Sequence, residues 1–267
     1  MKIKSNMIGK SCLFALLPNI LIVTIFLVFP LVWIFRISFY ENISGGYMKA
    51  AWIIDNYKKF LFDAWYLKNV LWLTIKVAFF VTTCVVIVAY PLALAIAKVK
   101  GKFKQVLLTM TLSPQLIGMV CLTFGWTILY RNHGLINQLT MAMGLTSEPI
   151  KYMYSLRGVI ITMIYVSVPY MVLNLLDGLS RINPSLEEAA MSVGANRVKT
   201  FTKIVFPMST PGLYAGLLVS FSLNFAALTV PLMIGSQRTK LIGVYVYDQA
   251  MNIGNLPFGS SIAVILL

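Results

Sequence analysis

The chain has 267 residues, of which 59% are hydrophobic and 11% charged; ordinary soluble domains carry roughly 25% charged residues, so the composition argues against a soluble globular protein. The formal net charge is +14, but the cations fall between apolar runs and are denser in alternate segments, which argues against nucleic acid as the partner. Cys12, Cys84 and Cys121 all lie inside apolar runs and His133 is the single histidine, so neither a disulfide framework nor a multi-histidine metal site is available.

Cutting at every charged residue and histidine leaves six apolar windows, 11–35, 77–97, 105–130, 158–176, 204–237 and 249–267. About 20 helical residues at about 1.5 Å each match the hydrocarbon core, so the expected fold is an all-α integral membrane protein of about six transmembrane helices in a single transmembrane domain, 1–267. The segments 1–10, 98–104 and 177–203 hold 11 Lys and Arg in 44 positions, and the alternate set 36–68, 131–157 and 238–248 holds 10 in 71. The denser set faces the cytoplasm, which puts the N-terminus inside.

In chain order, Lys2, Lys4 and Lys10 precede the first window as in a signal peptide. Pro18, Pro30 and the lack of a small-x-small cleavage site favour a retained first span instead. Residues 39–69, with Trp52, Tyr57, Phe60, Phe62, Trp65 and Tyr66, predict an outer interfacial segment. Lys76 interrupts a span from Val70 to Ala97 near its outer end, where snorkelling accounts for it. Lys98, Lys100, Lys102 and Lys104 crowd the next inner loop. The window 105–130 is broken by Pro114 and punctuated by Gly118 and Gly125, which predicts a helix interior to the bundle. His133 beside Gly134 reads as a turn. The window 158–176 delivers the chain to the inner side at Asp177.

The inner segment 177–207 is too polar for the membrane yet has helical spacing. Ser185 and Glu188 read as a capping box after Pro184, with Glu187 and Glu188 in the first turn, where the helix dipole favours anions. Gly194 and Ala195 then predict a break, and Val198, Phe201, Ile204 and Val205 an apolar stripe on a second helix ended by Pro207 and Pro211. After Pro257 only ten residues remain, about 15 Å of helix, so the sixth span is expected to be incomplete at the C-terminus.

The run Glu188-Ala189-Ala190, Gly194, Ile204 and Pro207 resembles the EAA motif of permease subunits of bacterial binding-protein-dependent ABC importers, with Phe206 where that family has Leu. Tyr90-Pro91-Leu92-Ala93, Pro169-Tyr170-Met171-Val172, Pro211-Gly212, Ala215-Gly216 and Pro257-Phe258-Gly259 resemble the spermidine/putrescine branch. The resemblance implies the type I ABC importer permease fold in the bacterial inner membrane. It implies a coupling helix seated in a partner ATPase through Glu188, Ala189, Ala190, Gly194, Ile204 and Pro207, with Glu187 alongside. It further implies a second, homologous permease subunit in a heterodimer, a solute-binding protein and membrane lipid as partners, with no nucleic acid. ATP and Mg would be on the ATPase subunits and no cofactor on this chain.

The substrate implied is a polyamine, with iron, thiamine, an oxyanion or an amino acid as alternatives for the same kind of permease. Trp126, Tyr165, Tyr170 and Asn224 are the candidate pathway residues, although Tyr and Asn in a helix bundle more often serve packing or interhelical hydrogen bonds. No catalytic residue is assigned: Gly9-Lys10-Ser11 approaches a phosphate loop, but Lys4 stands at its first glycine. A secondary transporter or channel would couple through intramembrane charges, and Lys76 is the only full charge in any predicted span.

Overall fold

The computed structural model describes residues 18–19, 21–43, 47–237 and 239–267. Cys12, Lys2, Lys4, Lys10 and the Gly9-Lys10-Ser11 run lie outside the described residues, as does Arg238 of the outer charge set. The chain divides into two units: residues up to Ala64 together with Tyr245–Leu267, and Trp65–Val244.

In the first unit, helix α1 (Leu21–Ile37) is followed by strands β1 (Glu41–Ile43) and β2 (Tyr47–Lys49), which pair antiparallel with Asn42 opposite Met48, and by helix α2 (Asp55–Phe62). Asn56 ties the α1 exit to α2, its Nδ2 donating to the Ser38 and Tyr40 carbonyls at 3.0 Å each. Phe39 packs its ring against Phe35, Trp52 and Tyr57. The interfacial segment expected over 39–69 is thus a hairpin and a short helix, and its last six residues belong to the next long helix.

The second unit is built on three long apolar helices, α3 (Ala64–Lys98), α7 (Leu156–Ser180) and α9 (Arg197–Phe225). Between α3 and α7 lie α4 (Lys102–Leu116), α5 (Met119–Leu129) and α6 (Leu135–Ala142); α8 (Pro184–Ser192) joins α7 to α9; α10 (Thr229–Ile234) and α11 (Ile242–Tyr247) follow. On α3, Val77, Val81, Val85, Ala89 and Ala93 recur at every fourth residue and are buried. Such an i±4 ridge of small side chains lets α7 and α9 seat closely, and in lipid that packing, rather than water exclusion, is the driving force. Helix α12 (Leu256–Leu266) belongs to the first unit, where it packs on α1 and α2 and buries Phe258 and Ile262.

Among the described residues, three helices are long and apolar enough to cross a membrane, and α4 with α5 makes a fourth span if that pair is counted as one despite its 98° bend. α1 and α12 are shorter apolar helices. The six windows therefore all carry helix, but three are interrupted, the last of them over 253–255. The break in 105–130 falls at Ile117 and Gly118, both with extended ψ, while Pro114 stays inside α4. Within this chain the segment is buried on one side only, at Pro114, Leu122 and Thr123, while Met110, Leu116, Val120 and Phe124 are exposed. An apolar composition cannot say which face turns inward when the solvent is itself apolar. The second break, Ala226–Leu228, separates α9 from α10.

Lys76 fits its bland reading. It lies 22 residues before Lys98, about 33 Å of helix, so the two lysines sit about one hydrocarbon thickness apart, and its Nζ lies 5.4 Å from the Trp72 ring centre. His133 is an exposed turn residue whose carbonyl accepts from Gln138 Nε2 at 2.9 Å.

Candidate functional site

The segment between α7 and α9 is built by its caps. Pro184 has no N–H and a fixed φ, so it suits the first helical position, and the cap falls on Asn183, whose Oδ1 accepts from Ser185 N at 3.1 Å. Ser185 is therefore inside α8 and the expected capping box does not form: Pro184 sets the register two residues earlier. Glu187 lies in the first turn, and its Oε2 accepts from Lys98 Nζ at 3.0 Å, tying α8 to the end of α3.

The C-terminus of α8 closes as a Schellman motif. Ala195 N donates to Ala190 O and Gly194 N to Met191 O, both at 3.0 Å, with Gly194 in the left-handed region at φ +86°. This is the pairing that satisfies the last carbonyls of a helix, and it needs a residue without a Cβ penalty at that φ. Asn196 then caps α9, its Oδ1 accepting from Lys199 N at 2.8 Å.

Helix α9 runs through Pro207 and Pro211 rather than ending there. A wider turn over Phe201–Val205, in which Phe206 N reaches back to Phe201 O, precedes Pro207. A proline ring clashes with the carbonyl four residues back, and the extra residue in that turn relieves the clash. The apolar stripe is also redrawn: Val205 is buried, Phe201 and Ile204 are half-buried, and Val198 points outward. The stem of α9 is held on α3 by Tyr90, whose hydroxyl lies 2.7 Å from the buried Ser209 Oγ and whose ring meets Phe201 edge-on at 5.8 Å.

What α8 presents outward is Glu188, Ala189 and the exposed Leu186, Met191 and Val193; Ala190 is half-buried and Pro207 exposed. Among the described residues the Glu188 carboxylate makes no ion pair. One carboxylate among small and apolar side chains is a surface that can seat in a groove and offer a charge-assisted hydrogen bond. Of the two acidic residues, Glu187 thus faces its own chain and Glu188 faces away.

The four pathway candidates fall in two places. Trp126 and Tyr165 meet with ring centroids 5.2 Å apart and line an apolar cavity of about 490 Å³. Tyr170 and Asn224 line a separate cavity of about 290 Å³ at the α9–α10 break, with Ser167 and Thr229. Asn224 is buried and satisfied, accepting from Ser167 Oγ at 3.0 Å and donating to Ser220 O at 2.8 Å. It is first a clasp between α7 and α9.

Lys98, Tyr90 and Ser209 were not assigned as site residues from the sequence, because each acts through a partner more than 80 residues away. Asn183 and Asn196 were missed as caps, although an asparagine just before a helix is the signal that finds them. The Lys98 and Glu187 side chains are 64% and 26% exposed, so the pair is worth at most about 1 kcal/mol. Replacing Lys98 by Gln is expected to leave thermal stability within that range but to speed amide hydrogen exchange in Pro184–Ser192 several-fold; unchanged exchange there would show that the pair does not hold α8.

A family model described as binding-protein-dependent transport system inner membrane component matches residues 52–267. The spermidine/putrescine transport system permease protein PotB of Escherichia coli (strain K12) is 28% identical over 261 residues, covering 98% of this chain and 90% of that protein. PotB of Haemophilus influenzae is 26% identical over 251 residues, with 94% and 83% covered. The crystal structure of a bacterial ABC transporter involved in the import of the acidic polysaccharide alginate matches with a TM-score of 0.72 at 18% identity, over 99% of this chain and 93% of that one, a likeness of fold.

Proposed function

The chain belongs to the binding-protein-dependent transport system inner membrane components, and from that premise we propose that it passes a polyamine such as spermidine or putrescine from a solute-binding protein across the membrane, driven by ATPase subunits docked on α8. The observation that carries the substrate class is the similarity to PotB along 98% of the chain. The docking is supported by a helix capped at both ends that presents Glu188 outward. In this reading ATP and Mg belong to the ATPase subunits, a second homologous permease completes the path, and the N-terminus is cytoplasmic, as the lysine and arginine distribution favours.

The cavity linings fit passage rather than storage. No acidic residue lines the two pathway cavities, which offer aromatic faces, hydroxyls and an amide. A flexible polycation meets weak cation–π and neutral polar contacts there, and a conducting site must hold its cargo loosely enough to release it. Selectivity then resides in the binding protein.

The test is ATP-dependent uptake of radiolabelled spermidine by vesicles containing the chain with its partner subunits and binding protein, run beside molybdate and a neutral sugar. Uptake of the oxyanion or the sugar in place of the polyamine overturns the substrate class. Tight spermidine binding to the membrane subunits without the binding protein overturns the division of labour.

A further inference from the structure

Helix α7 carries a polar stripe that ends at a third cavity. Between Val166 and Leu179 its polar side chains are Ser167, Tyr170, Asn174 and Asp177 alone, at steps of three, four and three residues, with Arg181 four further on. Such steps place all five on one face of the helix. In a membrane span, polar side chains are costly unless they face the bundle interior or a wet cavity. Ser167 and Tyr170 do line the cavity at the α9–α10 break. Asn174, Asp177 and Arg181 line a separate one of about 230 Å³, walled on the α9 side by Met208, Pro211 and Ala215. Asp177 lies seven residues, about 10 Å of helix, beyond Tyr170, toward the side that the lysine and arginine distribution makes cytoplasmic.

The groups on this wall suit a cation. Asn174 Nδ2 donates to Tyr170 O at 2.8 Å, while its Oδ1 accepts from no donor among the described residues. Among those residues Asp177 is the one acid on the cavity wall. It stands in the last turn of α7, where the helix dipole disfavours a carboxylate and favours a cation beside it. Arg181 fills that place, its Nη2 donating to both Asp177 oxygens, at 2.8 and 3.1 Å. Both side chains are largely exposed, and an exposed ion pair is held weakly, so another cation can take the place of the guanidinium.

We propose that this cavity is the inner release site for one end of the polyamine: a primary ammonium takes Asp177 from Arg181, with Asn174 Oδ1 as its second acceptor, and Arg181 expels it by returning. The choice of ligand rests on a polyamine being the cargo; the site rests on the stripe and the cavity. A carboxylate without a competing cation would hold a polycation too long for passage, and the guanidinium four residues on keeps the hold brief.

The test uses the chain with its partner subunits in inside-out vesicles, carrying Cys12→Ser, Cys84→Ser and Cys121→Ser, with Ala215→Cys on the cavity wall. The Ala215→Cys thiol is modified by neutral methyl methanethiosulfonate at constant ionic strength, and the reading is the spermidine concentration that halves the rate. Arg181→Gln should lower that concentration about fivefold and Asp177→Asn raise it about tenfold, since only the first leaves a free carboxylate to concentrate the cation. The opposite signs discriminate: a pair that merely staples the last turn of α7 is broken by both substitutions and would move both the same way. Shifts of equal sign, no shift in Asp177→Asn, or a thiol that never reacts because a partner subunit covers the cavity each overturn the proposal. Protection that is absent although the uptake assay shows spermidine transport overturns the release site alone; protection and spermidine uptake both absent overturn the polyamine cargo with it.

Discussion

Gly194→Val protein is expected to reach the membrane in normal amount but to lose most ATPase capture and nearly all coupled uptake. Gly194 sits at φ +86° with open space around its missing Cβ, so the obstacle to a side chain is backbone strain and not collision. The left-handed conformation costs an L-residue about 1–2 kcal/mol, and a β-branched side chain sits at the upper end. Without it, the bonds from Gly194 N to Met191 O and from Ala195 N to Ala190 O open, and α8 frays from the end that leads into α9. Gly194→Asn, which tolerates this conformation, should restore most of the function. Glu188→Lys should give the same uncoupling by another route, reversing the charge presented to the partner while breaking no ion pair among the described residues. Lys76→Gln and His133→Ala are the controls, expected to transport normally. The measurements are co-purification of the ATPase subunits and ATP-dependent uptake; a Gly194→Val protein with wild-type values of both would remove α8 from the coupling role.

The helix and turn of α8 were legible because their residues are fixed by local backbone chemistry. A glycine six residues after Glu188 marks a helix end, and prolines and small residues have few alternative reasons to recur at that spacing. The cap was misplaced by two residues for an equally local reason, since Pro184 takes the first helical position and leaves Asn183 to cap it. The breaks were harder. Cutting the chain at charges detects apolarity but not continuity, and Ala226-Ala227-Leu228 contains no glycine or proline to announce that α9 ends there. The contacts that hold the element in place, Lys98 with Glu187 and Tyr90 with Ser209, join residues 89 and 119 positions apart. No periodicity carries such pairings. They arise only once α3, α7 and α9 pack, and the four pathway residues were likewise separated into two cavities by packing that their side-chain types do not encode.

The close crossing of α7 and α9 carries the second large expectation: Gly212→Val should leave little folded protein. A Cβ on Gly212 would stand 2.5 Å from the backbone oxygen of Asn174 and 3.3 Å from Gly178 Cα. Backbone atoms cannot turn aside, so even alanine must push the helices apart by about an ångström, and at that gap much of the dispersion attraction along the contact is lost. Valine adds two further methyl groups at the same point, which sets the cost at roughly 3 kcal/mol, the upper range for overpacking. Because α9 also carries the stem that Tyr90 anchors, the displacement propagates to α8 in any molecules that do fold. Gly216 on the same helix supplies the comparison. Its Cβ would meet the Met171 sulfur at 2.5 Å, but a thioether on a flexible side chain can move. Gly216→Ala should therefore be tolerated where Gly212→Ala is costly. Thermal unfolding of the solubilised protein and its steady-state amount in membranes test the pair: equal losses at the two positions, or a Gly212→Val protein as stable as the wild type, would mean that backbone contact at Gly212 does not hold α7 against α9.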